Sequence, residues 1–80
     1  MRKMTDGTTT INVLEWIIVK NIMWEYYVTE EWSEDNCAYC WVDGDFPELG
    51  LVSLDEIKPY IQARTRDLTT LAPAPGWRWV

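Results

Sequence analysis

The sequence predicts an α+β domain: a small antiparallel meander of three to four strands with one short helix starting near Leu54. Three observations carry this reading. Trp24-Glu25-Tyr26-Tyr27-Val28-Thr29-Glu30 and Cys37-Ala38-Tyr39-Cys40-Trp41-Val42 are runs of aromatic and β-branched residues with alternating faces. Asp43-Gly44 follows the second run, and this pair tolerates the positive φ of a type I′ hairpin turn. Ser53-Leu54-Asp55-Glu56 has the form of a capping box, in which the Ser53 hydroxyl accepts from the N–H of Glu56.

Taken in order, residues 1–10 are polar and include Gly7 and a run of threonines. They read as a flexible N-terminal segment, leaving residues 11–80 as the single domain. Ile11 to Val19 reads as a strand with Ile11, Val13, Ile17 and Val19 on one face, interrupted by Glu15. A helical register through Leu14, Ile17 and Ile18 is the alternative, and it is disfavoured because β-branched side chains lose rotamer freedom in a helix. Lys20-Asn21 marks a turn. From Ile22 to Glu30, Trp24, Tyr26 and Val28 point to the core, and Glu25, Tyr27 and Thr29 point away. Glu31 to Asn36 is an acidic loop in which Trp32 is either a lid on the core or an exposed contact. In the next strand Ala38, Cys40 and Val42 share one face; Cys37, Tyr39 and Trp41 share the other. Pro47 limits pairing before the Leu49–Val52 strand, where Gly50 is a candidate bulge. The helix from Leu54 ends or kinks at Pro59, with Leu54, Ile57 and Ile61 as its apolar stripe. Ala72 to Gly76 is polyproline-like. Trp77-Arg78-Trp79-Val80 either pairs as an edge strand or folds back over apolar surface.

Composition narrows the function classes. Eighty residues make one domain with a thin core, offset by six Trp, four Tyr and one Phe. The net charge is −6, and the acid is concentrated: ten Asp and Glu lie between Asn21 and Ile57, with no Lys or Arg among them. Such a surface repels phosphate, so direct nucleic-acid binding is not expected. No stretch reads as a signal peptide or a membrane span. Two cysteines are too few for a disulfide scaffold and favour a reducing, cytoplasmic setting. On a strand, Cys37 and Cys40 point to opposite faces about 10 Å apart, beyond disulfide reach. No histidine is present, so a zinc site would need carboxylates or a second chain, and no cofactor or metal is expected. Nucleophilic catalysis has no histidine to serve as base, Ser53 is spent as a cap, and no glycine-rich phosphate loop exists. A thiol or metal enzyme ranks third among the readings.

The surplus aromatics point to binding. Tyr27, Tyr39 and Trp41, with Trp32 in the adjacent loop and the acids Glu30, Glu31, Glu34 and Asp35, form the candidate partner surface. It suits a basic or Pro-rich protein, held by stacking and cation–π contact, unless a helix or the C-terminal tail covers the rings. A homodimer is an open option. The rival reading is a nucleic-acid mimic. Carboxylates on alternate strand residues sit about 6.7 Å apart, close to phosphate spacing, and could block a DNA-binding defence protein of a restriction or CRISPR system.

Residues 24–30 and 39–57, with Arg66-Asp67-Leu68, also resemble a family of short proteins from plasmids and integrative elements, a domain of unknown function. Its pattern is an aromatic W-x-W/Y-Y-x-T-E strand followed by F-G-L-V-x-G-x-x-x-E-L-G-x-x-S-L-x-E-[LI]. The present chain departs from it at Tyr39-Cys40-Trp41, where the family has Phe-Gly-Leu. The resemblance implies an accessory or anti-defence role and no specific activity.

Overall fold

The computed structural model describes residues 1–80. The chain forms eight strands and one short helix: β1 (Arg2–Thr5), β2 (Thr10–Val13), β3 (Glu15–Val19), β4 (Glu25–Val28), β5 (Cys37–Asp43), β6 (Glu48–Ser53), α1 (Leu54–Ile57), β7 (Ile61–Thr65) and β8 (Arg78–Trp79). All pairings are antiparallel. They make a five-stranded sheet, ordered β6-β5-β4-β3-β7, and a three-stranded sheet, ordered β2-β1-β8. The α+β class with an antiparallel sheet holds; the expected three to four strands do not. No helix is long and apolar enough to cross a membrane.

The extra strands have physical causes. Met4 is fully buried and pairs with Ile11 on one side and Trp79 on the other, so the N-terminus is the central strand of the small sheet. A flexible segment over residues 1–10 is therefore corrected: Gly7, at φ 96°, serves the β1–β2 turn, where Asp6 also accepts from the N–H groups of Thr8 and Thr9. The Ile11–Val19 run breaks at Leu14, where the chain passes from one sheet to the other. Val13 lies in one core and Ile17 and Val19 in another, so the four do not share a face. The tail pairs as an edge strand through β8 and also folds back over apolar surface, with Trp79 Nε1 donating to the Leu71 carbonyl at 2.7 Å and Trp77 set against Trp41.

The large sheet has a core on each face. On the first face Ile17, Val19, Tyr26, Val28, Ala38, Cys40 and Val52 pack together, covered by Leu54, Ile57, Ile61, Trp24 and Trp32. On the second, Tyr27 packs with Met4 and Val13 of the small sheet and with Leu68 and Ala74 of the tail. The alternation read for β4 and β5 matches this division. Trp32 acts as a lid: its Nε1 donates to Glu15 at 2.9 Å. Glu15, buried on the first face, also receives Arg64 at 2.7 Å, with Arg66 4.0 Å away.

The helix start and the stop at Pro59 follow their expectation, but Ile61, expected in the helical stripe with Leu54 and Ile57, belongs to β7 and reaches the same core from the sheet. Ser53 is extended and its hydroxyl accepts from the Glu56 N–H at 3.4 Å. After four residues Pro59 converts the helix to a 3-10 turn over Lys58–Tyr60, which hands the chain to β7. The segment thus carries the chain across the first face, from edge strand β6 to the opposite edge β7. Two expectations fail locally. Gly50 is not a bulge, because the β5–β6 register runs unbroken from Cys37↔Ser53 to Val42↔Glu48. Asp43-Gly44 is not a type I′ turn, since neither residue has positive φ and the loop spans residues 44–47.

Candidate functional site

The concave surface of the molecule flanks α1 on the first face. It begins with the β3–β4 turn. Asn21 and Met23 both adopt left-handed φ, 70° and 56°, which costs about 1 kcal/mol or more at a methionine. The turn leads into Trp24, which lies over Gly44. A Cβ on Gly44 would stand 2.7–3.0 Å from atoms of the indole, so glycine is needed there for close approach.

Two cavities open beside this contact. The first, about 350 Å³, runs between α1 and the β5–β6 hairpin, with Trp24, Tyr26 and Phe46 as its rings and Asp45, Glu48 and Glu56 as its acids. The second, about 340 Å³, lies between α1 and the β3–β4 turn, lined by Ile22, Lys20 and Tyr60 among others. They share Tyr26, Glu56 and Ile57, so they form one groove around the helix. This size falls within the range of ligand sites. Phe46, 84% exposed at the loop tip, lines the first cavity and leaves its ring open to a ligand there.

Acid outweighs base in the groove: Lys20, on the second cavity, faces Asp45, Glu48 and Glu56 as its one cation. The three ion pairs of the chain join Arg64 and Arg66 to Glu15 and Glu31, away from the groove. Asp45, Glu48 and Glu56 have no cation within 4 Å and take part in no side-chain hydrogen bond. Rings and unneutralised carboxylates around one concavity favour a guanidinium or ammonium group.

The eight residues singled out from the sequence are not brought together. Tyr27 is buried between the sheets and its hydroxyl donates to Glu25 at 3.4 Å; burial and the neighbouring Glu25 push its pKa up. Trp41 is half-buried beneath Trp77, with centroids 4.9 Å apart and planes at 58°. The covering tail removes both from the outer surface. Trp32 sits on the opposite face of the sheet, as the lid over Glu15. Glu30 accepts from the Tyr39 N–H at 2.9 Å. Glu31 is clamped by both terminal nitrogens of Arg66 at 2.9 and 3.0 Å, and this bond holds its carboxyl below the ordinary range. Tyr39, Glu34 and Asp35 are exposed. The sequence reading assigned Trp24 and Tyr26 wholly to the core and passed over Phe46. The available signal was a large aromatic inside a Gly-Asp-Phe-Pro loop, where turn chemistry asks for none.

The cysteines are free and lie on opposite sides of β5. Cys40 is buried, and desolvation first, then Glu15 and Glu30, push its thiol up to about 12. Cys37 is half-buried. Native protein at pH 8 should therefore be alkylated at Cys37 alone, with Cys40 reacting only on unfolding; mass spectrometry after iodoacetamide reads this directly. Between the ordinary thiol value near 9 and 12 the unfolded chain loses the Cys40 proton while the folded chain keeps it. Stability from this group is thus full below pH 9 and falls by about 1.4 kcal/mol per unit above it. No group of three or more His, Cys, Asp or Glu side chains is placed to hold a metal ion.

Fold and groove together define a small two-sheet α+β protein with an acidic, aromatic-lined concavity on one face. No family model, curated protein or solved structure matches the chain.

Proposed function

We propose that this chain is a non-enzymatic interaction module of the cytoplasm, and that it holds a basic segment of a protein partner in the groove beside α1. One observation carries the reading: Asp45, Glu48 and Glu56 stand unneutralised around the rings of Trp24, Tyr26 and Phe46 in a concavity large enough for side chains. The partner surface thereby moves from Tyr27 and Trp41 to the other face of the sheet. The tail supplies no ligand for it, since Trp77 is engaged on Trp41 of its own chain.

Titration calorimetry with Arg- and Lys-rich peptides, against acidic and neutral controls, tests this. Binding of the basic set should weaken as salt rises. It should be lost in the Asp45→Asn, Glu48→Gln, Glu56→Gln triple variant and weakened in Phe46→Ala, all exposed positions that leave the cores intact. Indifference to these changes would sink the proposal. The mimicry reading ranks second. Its acids would be the Glu30–Asp35 cluster, where Arg66 neutralises Glu31 and Glu30 serves a backbone N–H, leaving Glu34 and Asp35 free. Loss of binding only on neutralising Glu34 and Asp35 would favour it, in line with the resemblance of residues 24–68 to proteins of mobile elements.

A further inference from the structure

The five-stranded sheet ends at β6, and the backbone pattern shows what that edge presents. The Tyr39 carbonyl accepts from the Thr29 N–H at 3.0 Å, and its own N–H donates to the Glu30 carboxylate at 2.9 Å. Both groups therefore point toward β4. Tyr39 faces Leu51 across the β5–β6 ladder, so these two form a non-hydrogen-bonded pair. The N–H and C=O of Leu51 must then point outward, and by the period of two so do those of Leu49. The side chains of the same two residues stand in solvent, 61% and 52% exposed, beside Tyr39 at 49%.

Natural sheet edges are blunted by charge, proline, bulges or brevity. The other three edges here comply: β2 exposes Thr10 and Asn12, β7 carries Gln62 and Arg64, and β8 has two residues. β6 opens with the charged Glu48 after Pro47, but the five residues from Leu49 to Ser53 have no charge, no proline and no break in register.

We propose that β6 is a self-association edge, pairing antiparallel with β6 of a second copy about a two-fold axis at Gly50. In this register Leu49 of each copy opposes Leu51 of the other, and each pair exchanges two N–H···O=C bonds through the groups that point outward. Gly50 opposes Gly50, where no side chain stands between the backbones, and Glu48 opposes Val52. The two Glu48 side chains fall four residues apart along the seam, about 13 Å, beyond the screening length of roughly 8 Å at physiological salt. Four leucines join in one row flanked by Tyr39 of each copy. The occupant is a second copy because the strand matches itself in both hydrogen bonding and apolarity with no acid facing acid. At −6 per chain, residual repulsion makes the association strengthen as salt rises, opposite to the expected peptide binding.

The test is sedimentation equilibrium of the full chain, with disulfide trapping. Nothing lies within 4 Å of a Cβ placed on Gly50, so Gly50→Cys is sterically free. In a Cys37→Ser background it should give a reducible dimer under mild oxidant, at least on the order of tenfold more than Leu51→Cys, whose thiols sit diagonally across the proposed seam. The unmodified chain should show concentration-dependent dimer that grows with salt. Leu51→Lys should weaken it by on the order of tenfold or more while leaving the circular-dichroism spectrum unchanged. A monomer at the highest concentration and salt overturns the proposal, as does trapping dominated by Leu51→Cys. Glu48, Gly50 and Leu51 of this edge also line the groove, so the peptide titration is run on the unmodified chain at low concentration and low salt, where it is monomeric, and the two proposals fail independently.

Discussion

Tyr27→Ala should unfold most of the protein, or leave it near the edge of unfolding. The ring is buried at the centre of the second core, where it joins the large sheet to Met4 and Val13 of the small one and to Leu68 and Ala74 of the tail. Truncating a large buried aromatic costs about 3–5 kcal/mol. A chain of 80 residues has a total stability of about 4–12 kcal/mol. Two companions isolate the cause. Tyr27→Phe keeps the ring and loses only the 3.4 Å bond to Glu25, which still receives Trp16 Nε1 at 2.9 Å; it should cost about 0.5–1.5 kcal/mol. Tyr39→Ala, on an exposed ring, should stay within about 0.5 kcal/mol. Urea midpoints compare all three. A loss below about 1 kcal/mol for Tyr27→Ala would mean that this ring does not join the sheets.

The second large effect concerns Glu15. Its buried carboxylate is compensated by Arg64 at 2.7 Å, while Arg66, 4.0 Å away, is already clamped to Glu31. Arg64→Met keeps the aliphatic stem and strands the charge. Breaking a buried pair costs about 3–5 kcal/mol. Because the Arg64 head is open to water, about 2–4 kcal/mol is expected here. The decisive variant is the double one. Gln at position 15 can still accept from Trp32 Nε1, now at 2.9 Å from Glu15, but needs no counter-charge. Glu15→Gln should therefore raise the stability of Arg64→Met while lowering that of the unmodified protein. Simple additivity in this cycle would show that the pair is not coupled.

Legibility in the sequence followed the local rules. The alternation of β4 and β5, the Lys20-Asn21 turn, the Ser53 cap and the stop at Pro59 are set by neighbours in sequence, and each is present. What escaped depends on distant residues. Nothing near Met4 says that Trp79 will pair with it. Ile61–Thr65 has no strand signature of its own and becomes a strand because β3 offers a free edge. Gly44 looked like turn chemistry and is instead the floor beneath an indole twenty residues earlier. The candidate site moved for the same reason. Period two separates the faces of a strand but does not say which face a tail will cover, so the sequence leaves Tyr27 and Trp41 either outward or under the tail, and Ala74 and Trp77 cover them.

The pairing of β1 with β8 also sets a clock. A ribosome adding roughly 5–20 residues per second needs on the order of 3–13 s to travel from Val13 to Arg78. Through that interval the β1–β2 hairpin has been made but its third strand has not, and Met4 and Val13 lack the tail that helps to shield them. The small sheet thus closes after the large one, which is complete once β7 is made, and it stays open for longer to a chaperone or a protease.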